Sequence, residues 1–352
     1  MKLIHTADIH LGSQLNLKAN SEKINQRRAE IRTSFKNIVE FAKSQGVNVI
    51  LLSGDIFDGE RALKKDKEFF YSIVKNNTDI DFLYLRGNHD IKEGYNESLK
   101  NLKLFNDEWT YYSYGNLVIS GVEITAKNYA SLYSTLNLDK NKVNITMLHG
   151  QKADSVGLGL INLTKLKDKN IDYLALGHVH SYEEGELDFR GKFAYSGCPE
   201  GRGYDETGKK GIVLLEINEN KVKTSFIPTS LRVISKVVVD CNGLRDSYDV
   251  YSRVKKVANL TKDNIYRVEL QGEVDFDTED LTYELEKYLE NDCYLISIKD
   301  KLTRRFDYES LEGDVSLKSE FKREVLRSEE LTEEEKLNVI SIGLKALSGK
   351  EI

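Results

Sequence analysis

Six histidines occur in the chain, and five of them close an apolar, strand-like run beside a glycine or an acid. "ADIH" carries Asp8 and His10, "GDIFD" carries Asp55 and Asp58, and "GNHD" carries Asn88, His89 and Asp90. "MLHG" adds His149, and "GHVH" adds His178 and His180. This inventory is imidazole and carboxylate with one amide and no thiolate. It suits Mn, Fe, Zn or Co, not a cysteine zinc site or a calcium cage. D-x-H and H-x-H are i, i+2 pairs, which on a regular strand point to one face and reach one cation or a close pair. Seven donors exceed one tetrahedral ion. They suit two ions sharing a bridging carboxylate, an arrangement that clamps a phosphate and makes hydroxide from water. Any one motif alone reads as a turn or a packing feature; five in sequence do not. His5, near the start of its strand, reads as a hydrogen-bonded core residue.

These donors need rigid strand ends. "KLIHTADIH", "VNVILLSGD", "IDFLYLRGN", "KVNITMLHG" and "IDYLALGHVH" read as strands. "IRTSFKNIVEFAKSQG" and "KKDKEFFYSIVKNN" read as helices by their apolar spacing. After residue 110 strands dominate, so two packed sheets flanked by helices fit better than one doubly wound sheet. Near residues 227–233 the pattern changes to a β-α-β-α-β unit, and then to two helical segments. The second opens on a capping box, Thr332 with Glu335, ahead of an apolar face of Leu337, Ile340 and Leu344. The expected division is therefore a core at 1–230, a small α+β unit at 231–312 and a helix pair at 313–352.

The 352 residues carry a net charge of −6, and from Leu231 onward 20 Lys+Arg face 27 Asp+Glu. The first 230 residues are near neutral, which argues against non-specific coating of nucleic acid. Three cysteines fit no zinc ribbon or disulfide framework and suggest a reducing cytoplasm. No apolar run is long enough for a membrane span. The N-terminal stretch, broken by Asp8 and His10, is not a signal peptide.

The ordered set D-x-H, G-D-x-x-D, G-N-H-D, H-G and G-H-x-H resembles the calcineurin-like binuclear metallophosphoesterases. "HTADIHLG", "GDIFD", "LRGNHD", "GHVH" and the following "YSGCPEGRGYDETGKKG" resemble the SbcD-type DNA repair exonucleases within them. The resemblance implies a four-layer α/β/β/α sandwich, then a capping domain and a C-terminal helical pair. It implies one metal on Asp8, His10, Asp55 and His180, and a second on Asp55, Asn88, His149 and His178. Asp58 becomes a group behind the ligands, or one that fixes the loop. His89 protonates the leaving oxygen or stabilises charge on the phosphate, and Asp90 orients His89. Two divalent ions are implied, Mn²⁺ first, while the donors equally allow Fe, Zn or Co.

DNA is the implied substrate, with a small-molecule or protein phosphatase as the alternative and a silent scaffold as a third reading. Arg202, Arg61 and Lys64 are candidate phosphate contacts, with Lys18, Arg27, Arg28 and Lys65 behind them. The helix pair is expected either to grip an SbcC-like coiled-coil ATPase or to fold back on its own chain. Two apparent helices are apolar beyond one stripe (Leu63, Phe69, Phe70, Ile73; Leu99, Leu102, Phe105), which suggests a homodimer face.

Overall fold

A computed structural model describes residues 1–59, 62–90, 99–304 and 316–347 of the chain. Arg61 and Gly313 lie outside the described residues. In chain order the elements are β1 (Lys2–Thr6), α1 (Ser21–Ser44), β2 (Val49–Ser53), α2 (Lys64–Asn76), β3 (Asp81–Leu85), β4 (Leu102–Leu104), β5 (Thr110–Tyr114) and β6 (Leu117–Gly121). Then come α3 (Leu132–Thr135), β7 (Val143–His149), β8 (Gln151–Lys152), β9 (Leu160–Ile161), β10 (Tyr173–Gly177), β11 (Glu183–Glu186), β12 (Lys192–Tyr195), β13 (Gly211–Asn218) and β14 (Lys221–Pro228). The last are β15 (Ile234–Asp240), α4 (Ser247–Ala258), β16 (Ile265–Val274), α5 (Leu281–Leu289), β17 (Leu295–Arg304), α6 (Leu317–Arg327) and α7 (Glu333–Leu347).

Two compact units result. The first comprises Met1–Lys236 with Thr261–Arg267 and Asp292–Leu295. It holds a six-stranded sheet in the order β14-β13-β1-β2-β3-β4 and another in the order β11-β12-β10-β7-β6-β5. β1 to β4 run parallel, as do β6, β7, β10 and β12. All five residues of β2 are buried, as a continuous apolar run requires of a strand covered on both faces. Its alternation divides the work. Val49 and Leu51 join Leu83, Ile119, Ile145 and Ala175 in the core between the sheets. Ile50 and Leu52 pack with Phe35 and Ile38 of α1 and Phe70 and Val74 of α2. The outer face of the second sheet is covered by one-turn α3, a 3₁₀ turn at Leu163–Leu166 and coil around Leu136, Leu138 and Ile171. The four layers are present, the fourth built largely without helix.

Helix α1 begins ten residues before the stripe that starts at Ile31. Asn20 caps it by accepting from the Lys23 backbone N–H at 2.9 Å. The next stripe position is Arg27, only 1% exposed, whose guanidinium donates to Glu200 at 2.8 Å and to the Gly201 carbonyl at 2.7 Å. Glu200 also accepts from Ser34 and from the Leu231 and Arg232 backbone. Arg27 is therefore a structural ion pair and not the phosphate contact that its charge suggests.

The expected helix around Leu99–Phe105 is absent. Leu102–Leu104 is a strand parallel to β3, and Phe105 is buried between the sheets. Phe70 is buried, and Phe69, Ile73, Leu99 and Leu102 pack on the core beneath them. Of the seven residues suggesting a homodimer face, Leu63 alone is exposed, at 56%.

The second unit comprises Val237–Leu260, Val268–Asn291 and Ile296–Ile352. Strands β15, β16 and β17 form a three-stranded sheet with β16 in the middle. Val250, Val254 and Ala258 of α4 and Leu281, Leu285 and Leu289 of α5 are its buried helical faces. In the helix pair, Phe321 lies so close to Gly343 that any Cβ there would overlap its ring. The capping box forms: Thr332 donates its backbone N–H to Glu335 at 2.8 Å, and Glu335 returns its own to the Thr332 hydroxyl at 3.3 Å.

Removing one partner of a buried ion pair strands the other charge. Glu200→Ala should therefore lower stability by about 3 kcal/mol, read as a fall in the urea midpoint. The Arg27 guanidinium also pairs with Glu30, and a midpoint that does not move would show that Glu30 alone satisfies it.

Candidate metal centre

The three consecutive parallel strands β1, β2 and β3, with β7 and β10 of the other sheet, deliver their C-terminal ends to one place. The loops after β1 and β2 zip together. Asp8 N–H donates to Gly54 O at 2.9 Å, His10 N–H to Asp55 O at 3.0 Å and Leu11 N–H to Ile56 O at 2.8 Å. The D-x-H and H-x-H pairs do not ride on regular strand as their spacing suggests. Asp8, His10 and Asp55 take φ of 54°, 51° and 52°, and His178 takes 103°. Left-handed backbone at non-glycine residues costs of order 1–3 kcal/mol each and is held by the surrounding bonds.

Two groups of donors consist of the expected ligands alone, and a third joins His10 to Asp58 and His89. Ligand atoms of Asp8, His10 and His180 lie within 4.8 Å of one another, and so do those of Asp55, His149 and His178. Asp55 faces both groups: its Oδ2 is 3.2 Å from His149 Nε2 and 3.8 Å from His10 Nε2. Asn88 Oδ1 joins the second group, 3.1 Å from His149 Nε2 and 3.2 Å from His178 Nδ1. A Cβ on Gly87 would overlap Asp55 and His149, and one on Gly177 would overlap the Ser53 carbonyl. The glycines of "GNHD" and "LGH" are thus where the His149 ring needs room.

Three of the four imidazoles, His149, His10 and His180, are aimed by a partner on the far nitrogen. His149 Nδ1 donates to the Ser53 carbonyl at 2.9 Å. His10 Nδ1 lies 3.3 Å from Asp58 Oδ1, and its Nε2 is buried with no hydrogen-bond partner. His180 Nδ1 lies 2.8 Å from Glu206 Oε1. Arg202 Nη2 is also 3.0 Å from that nitrogen, but a guanidinium only donates, so the carboxylate fixes the proton on Nδ1 and frees Nε2.

The electrostatics are those of a crowded, desolvated site. Burial pushes the Asp8 carboxyl up to about 6 despite His149 and His180, and pushes His10 down to about 4. Burial would raise Asp55 too, but the hydrogen bond and charge of His149 hold it well below the carboxylate range. Asp55 in turn outweighs burial at His149 and lifts it to about 9. Buried carboxylates, clustered imidazoles and an orphaned ring nitrogen form a donor set that divalent cations would satisfy, a cation replacing the proton that Asp55 holds on His149.

Other sequence candidates fall differently. Asp90 does not orient His89. Its carboxylate accepts from the backbone N–H groups of Gly87 at 3.0 Å, Phe57 at 2.9 Å and Ile56 at 3.3 Å, tying the loop after β3 to the loop after β2. The group beside His89 is Asp58, whose Oδ1 is 3.6 Å from His89 Nδ1. Arg202 is not turned out toward a phosphate: its Nε and Nη2 bind Glu206. Lys64 is an exposed partner of Glu68 at 3.6 Å. Arg28 and Lys65 line a separate cavity with Gly12 and Gln14. Glu206, absent from the sequence candidates, lies in "GRGYDE", and nothing in that spacing links it to His180. His5 is a core residue bonded to the Tyr173 hydroxyl at 2.9 Å.

A family model described as calcineurin-like phosphoesterase matches residues 1–182. Among curated proteins, the chain is 24% identical over 299 residues to the DNA double-strand break repair protein Mre11 of Sulfolobus acidocaldarius, covering 78% of this chain and 76% of that one. It is 28% identical over 268 residues to a subunit of the nuclease SbcCD of Staphylococcus saprophyticus, covering 65% and 69%. No described helix is long and apolar enough to cross a membrane.

Removing the carboxylate behind His180 should loosen one group of donors and spare the other. Glu206→Gln should weaken one of two calorimetric Mn²⁺ binding events by about 10–100-fold. Two unchanged events would contradict the role of Glu206.

Proposed function

The chain belongs to the calcineurin-like phosphoesterase family, and from that premise we propose that it is a metal-dependent DNA nuclease working with an SbcC-like coiled-coil ATPase. The observation carrying this reading is the single Asp55 oxygen that faces a histidine of each donor group. On it, Asp8, His10, Asp55 and His180 hold one divalent cation, and Asp55, Asn88, His149 and His178 hold the other. The two cations, Mn²⁺ by resemblance, supply Lewis acidity and activate water. His89 is the residue free to act on substrate. Its side chain is 48% exposed, its ring sits edge-on to His10 at 5.1 Å, and Asp58 Oδ1 lies 3.6 Å from its Nδ1. It donates a proton to the leaving oxygen, while Asp90 keeps the loop that carries it in register.

DNA as substrate is supported by the two relatives, one a repair protein of DNA double-strand breaks and one a nuclease subunit. Residues 231–312 read as a cap that shapes the DNA groove. The partner is supported by the helix pair. Leu317 is 71% exposed on α6 and Ile342 49% on α7, while Ile340 and Leu344 are buried. Short helices that expose apolar residues fit a further helical surface such as a coiled coil. Cleavage of linear DNA that needs Mn²⁺ and stops with EDTA is the direct test; turnover confined to phosphomonoesters would identify a small-molecule phosphatase instead.

Separate roles inside "GNHD" predict separate defects. His89→Ala should lose about 10²–10⁴-fold in turnover with both metals retained by calorimetry, whereas Asn88→Ala should weaken the second metal. Equal metal loss in both would refute the division. Deleting residues 314–352 should leave the thermal transition and cleavage of short DNA intact and abolish capture of the ATPase. A truncated chain without a transition would show that the helices pack on their own chain.

A further inference from the structure

A cavity of about 500 Å³ opens beside the second donor group, and Asn88, His149 and His178 form one of its walls. Its size falls within the ~300–1,000 Å³ range of small-molecule sites. The rest of the lining sets an apolar stretch, Ile124, Leu158 and Leu160, beside Thr125, Arg86, Glu123 and Asp90, the last held by backbone N–H groups. The arginine's charge is offset by a carboxylate: Arg86 Nε donates to Glu123 Oε1 at 2.6 Å. Phosphate recognition needs cationic or N–H donors, and here the cation is already neutralised. The cavity lined by Arg28, Arg32 and Lys65 beyond Gly12 has the opposite character.

Leu158 is 62% exposed, yet its loop is held. Gln151 N–H donates to the Gly159 carbonyl at 2.8 Å, and Leu160 N–H to the Gly157 carbonyl at 3.1 Å. A Cβ on Gly150 would overlap the Gly159 carbonyl, so strand end and loop are in direct backbone contact. A large apolar side chain is thus presented to solvent at the mouth of a polar site by fixed backbone.

We propose that this cavity is a nucleobase subsite, taking the base of the nucleotide next to the scissile phosphate with Leu158 against the face of the ring. The assignment rests on the nuclease reading above. In a polymer whose phosphate lies between the donor groups, the next unit occupies the adjoining cavity. A heterocyclic base offers flat apolar faces to Ile124, Leu158 and Leu160 and a polar edge to Thr125. Enzymes that hold single bases do so between aromatic or apolar side chains.

The test uses the full chain with Mn²⁺ and short single-stranded oligonucleotides. Two of them carry a tetrahydrofuran abasic residue immediately 5′ or 3′ of the cleaved bond. The wild-type protein should cleave one of the two at least about tenfold more slowly than the fully based strand. Leu158→Ser, at an exposed position, should keep its thermal transition and cleave all three strands at similar kcat/KM. Indifference of the wild type to either abasic residue would overturn the subsite. Discrimination undiminished in Leu158→Ser would overturn the role of Leu158. Turnover of bis(p-nitrophenyl) phosphate with no cleavage of any oligonucleotide would overturn the nuclease reading itself, and the subsite with it.

Discussion

Two carboxylates, Asp8 and Asp55, are almost fully buried where the strand ends of two sheets meet, and four imidazoles crowd around them. Burying unpaired charge is among the most expensive things a fold can do. The architecture around this seam reads as the set of constraints that make it tolerable. Asp8 accepts from the His178 backbone N–H at 3.0 Å through both oxygens, and Asp55 accepts from the His89 backbone N–H at 2.8 Å. Each bond links a loop from one strand to a donor from another, so the charges are neutralised in part by the loops they position.

Asp90 extends the same logic. Burial pushes its carboxyl up to about 6, yet three backbone donors converge on it from two loops. It works as a staple that keeps Asn88 and His89 in place beside Asp55. On the other flank, Arg202, Glu206 and His180 form a second closed set, with Glu206 held well below the carboxylate range by His180 and Arg202 against its burial. Glu200, six residues before Glu206, anchors the same segment to α1 through Arg27. One imidazole of each flank is therefore backed differently: His180 by a carboxylate, His149 by a backbone carbonyl.

Sequence made the strand ends legible because β2, β3 and β10 are near-continuous apolar runs and β7, though broken by Asn144 and Thr146, ends on one, and such runs stop where the chain leaves the core. The donors at those ends were legible for the same reason. Long-range geometry was not. The apolar stripe of α1 continues through Arg27, and a charged residue in a core position hides its first turns until Glu200 is seen beside it. Phe105 follows a strand, not a helix, because Leu102–Leu104 finds a parallel partner in β3. The adjacency of His89 and Asp90 suggests partnership, yet neighbouring residues in a turn face apart, and Asp58 from another loop takes the place beside His89. Glu206 was invisible because only folding brings it to His180.

The most direct measurement is anomalous diffraction from crystals of the protein soaked in Mn²⁺. Two peaks about 3.5–4 Å apart, with Asp55 in contact with both, are the expected result. A single peak, or two of which Asp55 touches one, would contradict the reading of this seam as a binuclear centre.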